Sequence, residues 1–157
     1  MSPRPRSRHA WAQGELYAWL HDAFHRRGRR GQGPGGWVFL LEPELHFGED
    51  VLVPDIAGWK FERFPNTPDA AFLTVAPDWV CEVLSPGTEL FDRGTKGPAW
   101  AKHGTPWVWM VDPEARLLEV FRGDADGRLV QVQRGNGPGC FEPFAGVELD
   151  PSELWQG

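Results

Sequence analysis

The chain of 157 residues has two cysteines, one tyrosine and two methionines, and no apolar run approaching the roughly 18 positions that a membrane-spanning helix needs. Cys81 and Cys140 are too few for a disulfide framework and lie in no metal-type spacing, so both are expected to be small buried apolar residues. The Arg-rich start is not followed by an apolar stretch and a small-residue cleavage site, so no secretory signal is read. A cytoplasmic protein with no membrane partner is the expectation. The glycine run Gly31-Gln32-Gly33-Pro34-Gly35-Gly36 lacks the Lys and Ser/Thr that a phosphate-binding loop places after its glycines, which makes it a connector rather than a nucleotide site. No repeat of solenoid period is present.

What is abundant is glycine (19), proline (15) and tryptophan (9), a composition of short elements and many turns around an aromatic core. The length suits a single domain over residues 1–157. The net charge of −6 is uneven, with seven Arg against Glu15 and Asp22 in residues 1–30 and an excess of acids beyond. An acidic body repels phosphate, so a nucleic-acid partner would require a bound cation or the basic arm of residues 1–8, expected to be flexible, to offset the repulsion.

Ala12, Leu16, Trp19, Leu20 and Ala23 recur at helical spacing and predict an amphipathic helix from His9 to about Arg26. Trp37 to Leu41 and Val51 to Ala57 read as two antiparallel strands. Residues 59–77, rich in proline and without a period, read as a long surface excursion. Asp78 to Leu84 is nearly continuous apolar sequence broken by one acid, the pattern of a central strand covered on both faces. Ser85-Pro86-Gly87-Thr88 marks a turn before a helix at about 89–103, which Gly94, Gly97 and Pro98 weaken. Residues 106–122 form a hairpin, a further strand follows at 129–132, and Ser152 to Trp155 close with a helical turn.

Two carboxylates interrupt these apolar segments. Asp55 shares a strand face with Val51, Val53 and Ala57, and Glu82 shares one with Val80 and Leu84. An ionised carboxylate buried without a partner costs several kcal/mol, so each must be protonated, paired with a cation or bound to a metal. Lys96 lies four positions after Asp92, the spacing of a helical ion pair. Two acids for a hard divalent cation and a lysine for developing phosphate charge are the parts of a metal-dependent phosphodiesterase. His46 and His103 lack the paired spacing of a zinc helix and read as ordinary polar histidines.

Val53-Pro54-Asp55, Pro77 to Thr88, Asp92 with Lys96, Lys102-His103-Gly104-Thr105-Pro106 and Trp109 to Glu114 closely resemble the bacterial restriction endonuclease family often called Uma-two, within the PD-(D/E)XK nuclease superfamily. The resemblance implies an α/β restriction-endonuclease-like fold: a mixed central sheet with flanking helices, an α-β-β-β-α-β core and a C-terminal β-hairpin. It implies a DNA endonuclease in which Asp55, Glu82 and the carbonyl of Val83 hold Mg²⁺ or Mn²⁺ and Lys96 serves catalysis. Glu15 and Asp92 are candidate supporting acids. Leu84 occupies the place of the superfamily's usual lysine, which Lys96 supplies from the following helix, and Trp100 stands where the family commonly has tyrosine. The competing expectation is a weak or inactive nuclease-fold module that binds DNA or a protein. A homodimer is expected from the apolar surface of Trp107, Trp109 and the 59–77 excursion.

Overall fold

A computed structural model describes residues 5–25, 35–64, 71–144 and 146–155. The first helix, α1 (Pro5–Phe24), starts four residues before the position expected from periodicity, so residues 5–8 of the expected flexible arm are helical; residues 1–4 of that arm, and 26–34 of the glycine-rich connector, lie outside the described residues. Ala12, Leu16, Leu20, Ala23 and Phe24 form its buried stripe.

Strands β1 (Trp37–Leu41), β2 (Leu45–Phe47), β3 (Asp50–Leu52) and β4 (Ile56–Lys60) follow. The single strand expected over Val51–Ala57 is thus two. β2 and β3 close a hairpin of their own through Gly48 at φ 64°, while β4 pairs antiparallel with β1. Pro54 has no N–H to give a ladder, and the chain bends at Asp55. Val51 and Val53 are consequently exposed at 51% and 41%, not on a buried face with Asp55.

The excursion is also shorter than its sequence suggests. Trp59 is fully buried in β4 and Leu73 bridges to Leu45, so both ends of the segment pack against the protein; residues 65–70, with Pro65 and Pro68, lie outside the described residues.

Strand β5 (Trp79–Val83) is buried at every position, between antiparallel β4 and parallel β6 (Trp107–Asp112). A parallel pair requires a crossover. Here it consists of α2 (Glu89–Phe91), a π-helical turn (Asp92–Lys96) and α3 (Gly97–Lys102), three pieces in place of one regular helix. β7 (Leu117–Gly123) and β8 (Leu129–Gly135) complete a six-stranded mixed sheet of order β1-β4-β5-β6-β7-β8.

One sheet face meets α1 and the C-terminal segment. There Phe144 touches the rings of Trp37, Phe39, Trp79 and Trp109 at centroid separations of 4.9–5.7 Å. The other face packs Leu45, Trp59, Val80, Leu84, Trp100, Val108 and Met110 beneath the crossover and the β2–β3 hairpin. Trp109, expected on an exposed hairpin, is fully buried, which removes part of the basis for the dimer surface. Cys81 is buried as expected, whereas Cys140 is exposed. Among the described residues no helix is long and apolar enough to cross a membrane.

Candidate active site

The centre lies at the carboxyl end of β5. Trp79, Val80, Cys81 and Val83 favour an extended, doubly covered strand, and the alternation of side chains sends Glu82 to the face of Val80 and Leu84. Glu82 is 1% exposed. Two donors reach it from the crossover: Lys96 Nζ lies 3.0 Å from Oε1 and Trp100 Nε1 donates to Oε2 at 2.8 Å. Burial pushes the carboxyl up to about 8, the nearby charge of Asp55 adds to this, and Lys96 and Trp100 oppose it. Lys96 therefore faces Glu82, not a solvated Asp92 as its spacing suggested.

Gly97 explains how the crossover comes so close. A Cβ there would stand 2.5 Å from Met110 Cε and 2.8 Å from the carbonyl of Asp92, and Met110 is the neighbour of Glu82 across the β5–β6 ladder. The glycine that seemed to loosen the helix lets it dock. Arg93 fastens the same turn to the sheet, bridging Glu89 at 2.8 Å and Glu119 at 2.5 Å; hydrogen bonds to these two acids hold its guanidinium above the usual arginine range.

Asp55 reaches the same strand end from a bend. Its Oδ2 accepts the N–H of Val83 at 2.6 Å, which fixes one carboxylate on the residue that follows the other. Its Oδ1 lies 3.2 Å from Nε2 of His9, and its carbonyl accepts from Gln13 Nε2 at 2.9 Å and from the N–H of Glu42 at 3.2 Å. The hydrogen bond to Asp55 raises the His9 pKa, against the lowering effect of burial. Asp92 is 5% exposed; burial raises its carboxyl, a hydrogen bond from Thr88 lowers it, and its field couples to Asp55, His9 and Lys96.

Of the residues expected at the site, Asp55, Glu82, Val83, Lys96 and Asp92 thus lie together. Glu15 does not join them. It follows His9 by six positions, roughly 240° around the helix, so it faces away from the Asp55 stripe. His9 and Gln13 occupy the place intended for it. Their signal was the continuation of the apolar stripe through Leu16 and Leu20 toward the helix start, with polar side chains at positions 9 and 13. His46 and His103 each pair with one carboxylate elsewhere, Glu44 and Asp50. Among the described residues no group of three or more His, Cys, Asp or Glu side chains is arranged to hold a metal ion.

A six-stranded mixed sheet with a buried strand-end carboxylate, a bend carboxylate and a crossover lysine defines a mixed α/β protein of the restriction-endonuclease-like class. The sequence profile of the Uma2 family, described as a putative restriction endonuclease, matches residues 1–152, and the chain belongs to that family. Its fold is similar to that of a crystal structure of a putative nuclease belonging to DUF820 from Anabaena variabilis, with TM-score 0.74 and 23% identity over 99% of this chain and 84% of that one. No curated protein sequence matches. Membership in this family supports a nuclease function.

Proposed function

We propose that the protein is a divalent-metal-dependent DNA endonuclease that hydrolyses phosphodiester bonds. The observation that carries this reading is the meeting of Asp55, Glu82 and Lys96 at one strand end, tied by the 2.6 Å bond from Val83 N–H to Asp55 and the 3.0 Å pair of Lys96 with Glu82.

The donor set fits Mg²⁺ or Mn²⁺ better than a closed protein cage. A hard cation of this kind keeps several waters and takes one or two carboxylates together with substrate phosphate oxygens. Asp55 and Glu82 supply the carboxylates, and the carbonyl of Val83 is the third candidate ligand. The upward shift of Glu82, caused by burial and reinforced by Asp55, is an electrostatic penalty that a cation at this place relieves. When bound, the ion supplies acidification of a water and polarisation of the scissile phosphate. Lys96 orients the attacking water or meets the negative charge that builds on the phosphoryl oxygens. Trp100 holds Glu82 Oε2 from within the crossover, and Asp92 adds negative potential beside the pair.

DNA is the proposed substrate, and its phosphates would approach an acidic protein through the bound cation and the Arg-rich N-terminal region. Pairing of two copies stays part of the proposal, resting on what remains of its expected surface once Trp109 is core: partly buried Trp107 and, on the 59–77 excursion, Phe61 and Phe72, 39% and 45% exposed. Light scattering of a monomer alone at micromolar concentration would count against it.

The experiment is incubation with supercoiled plasmid and short oligonucleotides under Mg²⁺ and Mn²⁺, with Asp55→Ala as control. Metal-dependent nicking absent from the control is the expected result. Binding of DNA without nicking would instead favour a nuclease-fold binding module.

A further inference from the structure

Glu82 is held by the ladder of a central strand, but Asp55 is not. It sits at the bend between β3 and β4, after a proline and outside both strands, with its carbonyl 3.2 Å from the Glu42 N–H. We propose that His9 and Gln13 of α1 are positioning residues that set the orientation of Asp55 toward Glu82, an inference that rests on the nuclease reading above.

Two side chains one helical turn apart reach two different atoms of the same residue. His9 Nε2 meets Oδ1 at 3.2 Å and Gln13 Nε2 meets the main-chain carbonyl at 2.9 Å. Together with Val83 N–H on Oδ2, they leave the carboxylate one orientation and anchor the peptide that carries it. The helix that bears them is itself fixed, with Leu16 and Leu20 fully buried two and three turns further along the same stripe. The contact is partly shielded, with side-chain exposures of 26% for His9 and 16% for Asp55. It therefore restrains more than a solvated ion pair does. Partners of this type, which orient a ligating carboxylate without touching the ion, typically change metal affinity or activity by roughly 10–100-fold when removed. Glutamine carries its amide nitrogen the same number of bonds from Cα as Nε2 of histidine, so His9→Gln keeps the donor while removing the ring.

The test uses the full chain and four variants: His9→Ala, His9→Gln, Gln13→Ala and Asp55→Ala. Mn²⁺ affinity is measured by calorimetry without DNA, melting temperature in EDTA, and plasmid nicking as separate kcat and KM. For His9→Ala, Mn²⁺ affinity and kcat should fall by about 10–100-fold with KM for DNA unchanged. His9→Gln should recover most of both. Gln13→Ala should lose less, because the Glu42 N–H still holds the Asp55 carbonyl. His9→Ala that binds Mn²⁺ and cuts like the wild type, while Asp55→Ala does neither, would overturn the positioning role alone. So would His9→Gln no better than a folded His9→Ala; if His9→Ala does not fold, a folded His9→Gln with lost Mn²⁺ affinity decides against it. Asp55→Ala that binds Mn²⁺ and nicks normally would instead remove the nuclease reading on which the proposal stands.

Discussion

The two carboxylates of the centre are held in opposite ways. Glu82 stands in the middle of the sheet, 1% exposed, with its strand paired on both sides and its oxygens engaged by Lys96 and Trp100. Asp55 stands at a bend on the sheet's rim, placed by contacts from β5 and from α1. The first is rigid because packing leaves it no alternative. The second is held by hydrogen bonds from three separate segments, β5, the residue after β1 and α1. A strand supplies the desolvated, high-pKa member of the pair, and a tethered loop supplies the member whose geometry can be tuned without disturbing the core.

The sharpest way to break this comparison is to remove each acid. Glu82→Gln and Asp55→Asn should both bring metal-dependent nicking to background, measured on supercoiled plasmid; retention of nicking by either variant would show that the two acids do not act as one centre. Their stabilities should diverge. Docking of the crossover over Glu82 is tight enough that Gly97→Ala, which places a methyl 2.5 Å from Met110 Cε, should cost about 1–3 kcal/mol in chemical denaturation. A cost below about 0.5 kcal/mol would mean that the crossover yields easily.

Titration sharpens the contrast further. The Glu82 carboxyl is raised from 4.5 to about 8 in the folded protein, so its contribution to stability is fully present below its unfolded value and is lost as pH rises through about 8. In EDTA the wild type should therefore lose stability relative to Glu82→Gln between roughly pH 5 and 8, by an amount of order a few kcal/mol. Parallel stability profiles for the two proteins would contradict the desolvated setting of Glu82. His9 is also raised, through its hydrogen bond to Asp55, so its contribution too is present at low pH and fades as pH climbs past its folded value. The smallest effect belongs outside the centre. The His103–Asp50 pair, with Asp50 56% exposed, should contribute no more than about 1 kcal/mol, measured by a double-mutant cycle.

Both acids of the centre were legible in the sequence, but only for Glu82 was the strand that carries it legible as well. A five-residue apolar strand with one acid is readable because burial on both faces leaves a pattern independent of the rest of the chain. The segment Val51–Ala57 has the same alternation, but Pro54 and the separate β2–β3 hairpin redirect it, and tertiary pairing of β1 with β4 decides the outcome. The crossover was expected to be loose from Gly94, Gly97 and Pro98. Gly97 instead serves close approach, a role visible only once Met110 is seen beneath it. His9 and Gln13 show in the sequence only as polar positions continuing the Leu16–Leu20 stripe, because their partner is distant in sequence, and the acid that superfamily resemblance suggested on that helix, Glu15, lies on another side. Trp109 illustrates the same limit: alternating tryptophans fit an exposed hairpin or an aromatic core equally well, and the C-terminal Phe141 and Phe144 make it core.

The central claim is that Asp55 and Glu82 form one cation site. Thermal melts of the wild type, Asp55→Asn and Glu82→Gln, each in EDTA and in millimolar Mn²⁺, test it without requiring the preferred DNA. Binding to the folded state alone raises the melting temperature by mass action, so the wild type should shift upward with Mn²⁺ while both variants stay where EDTA leaves them. A wild type that does not respond to Mn²⁺, or either variant responding as strongly as the wild type, would contradict it.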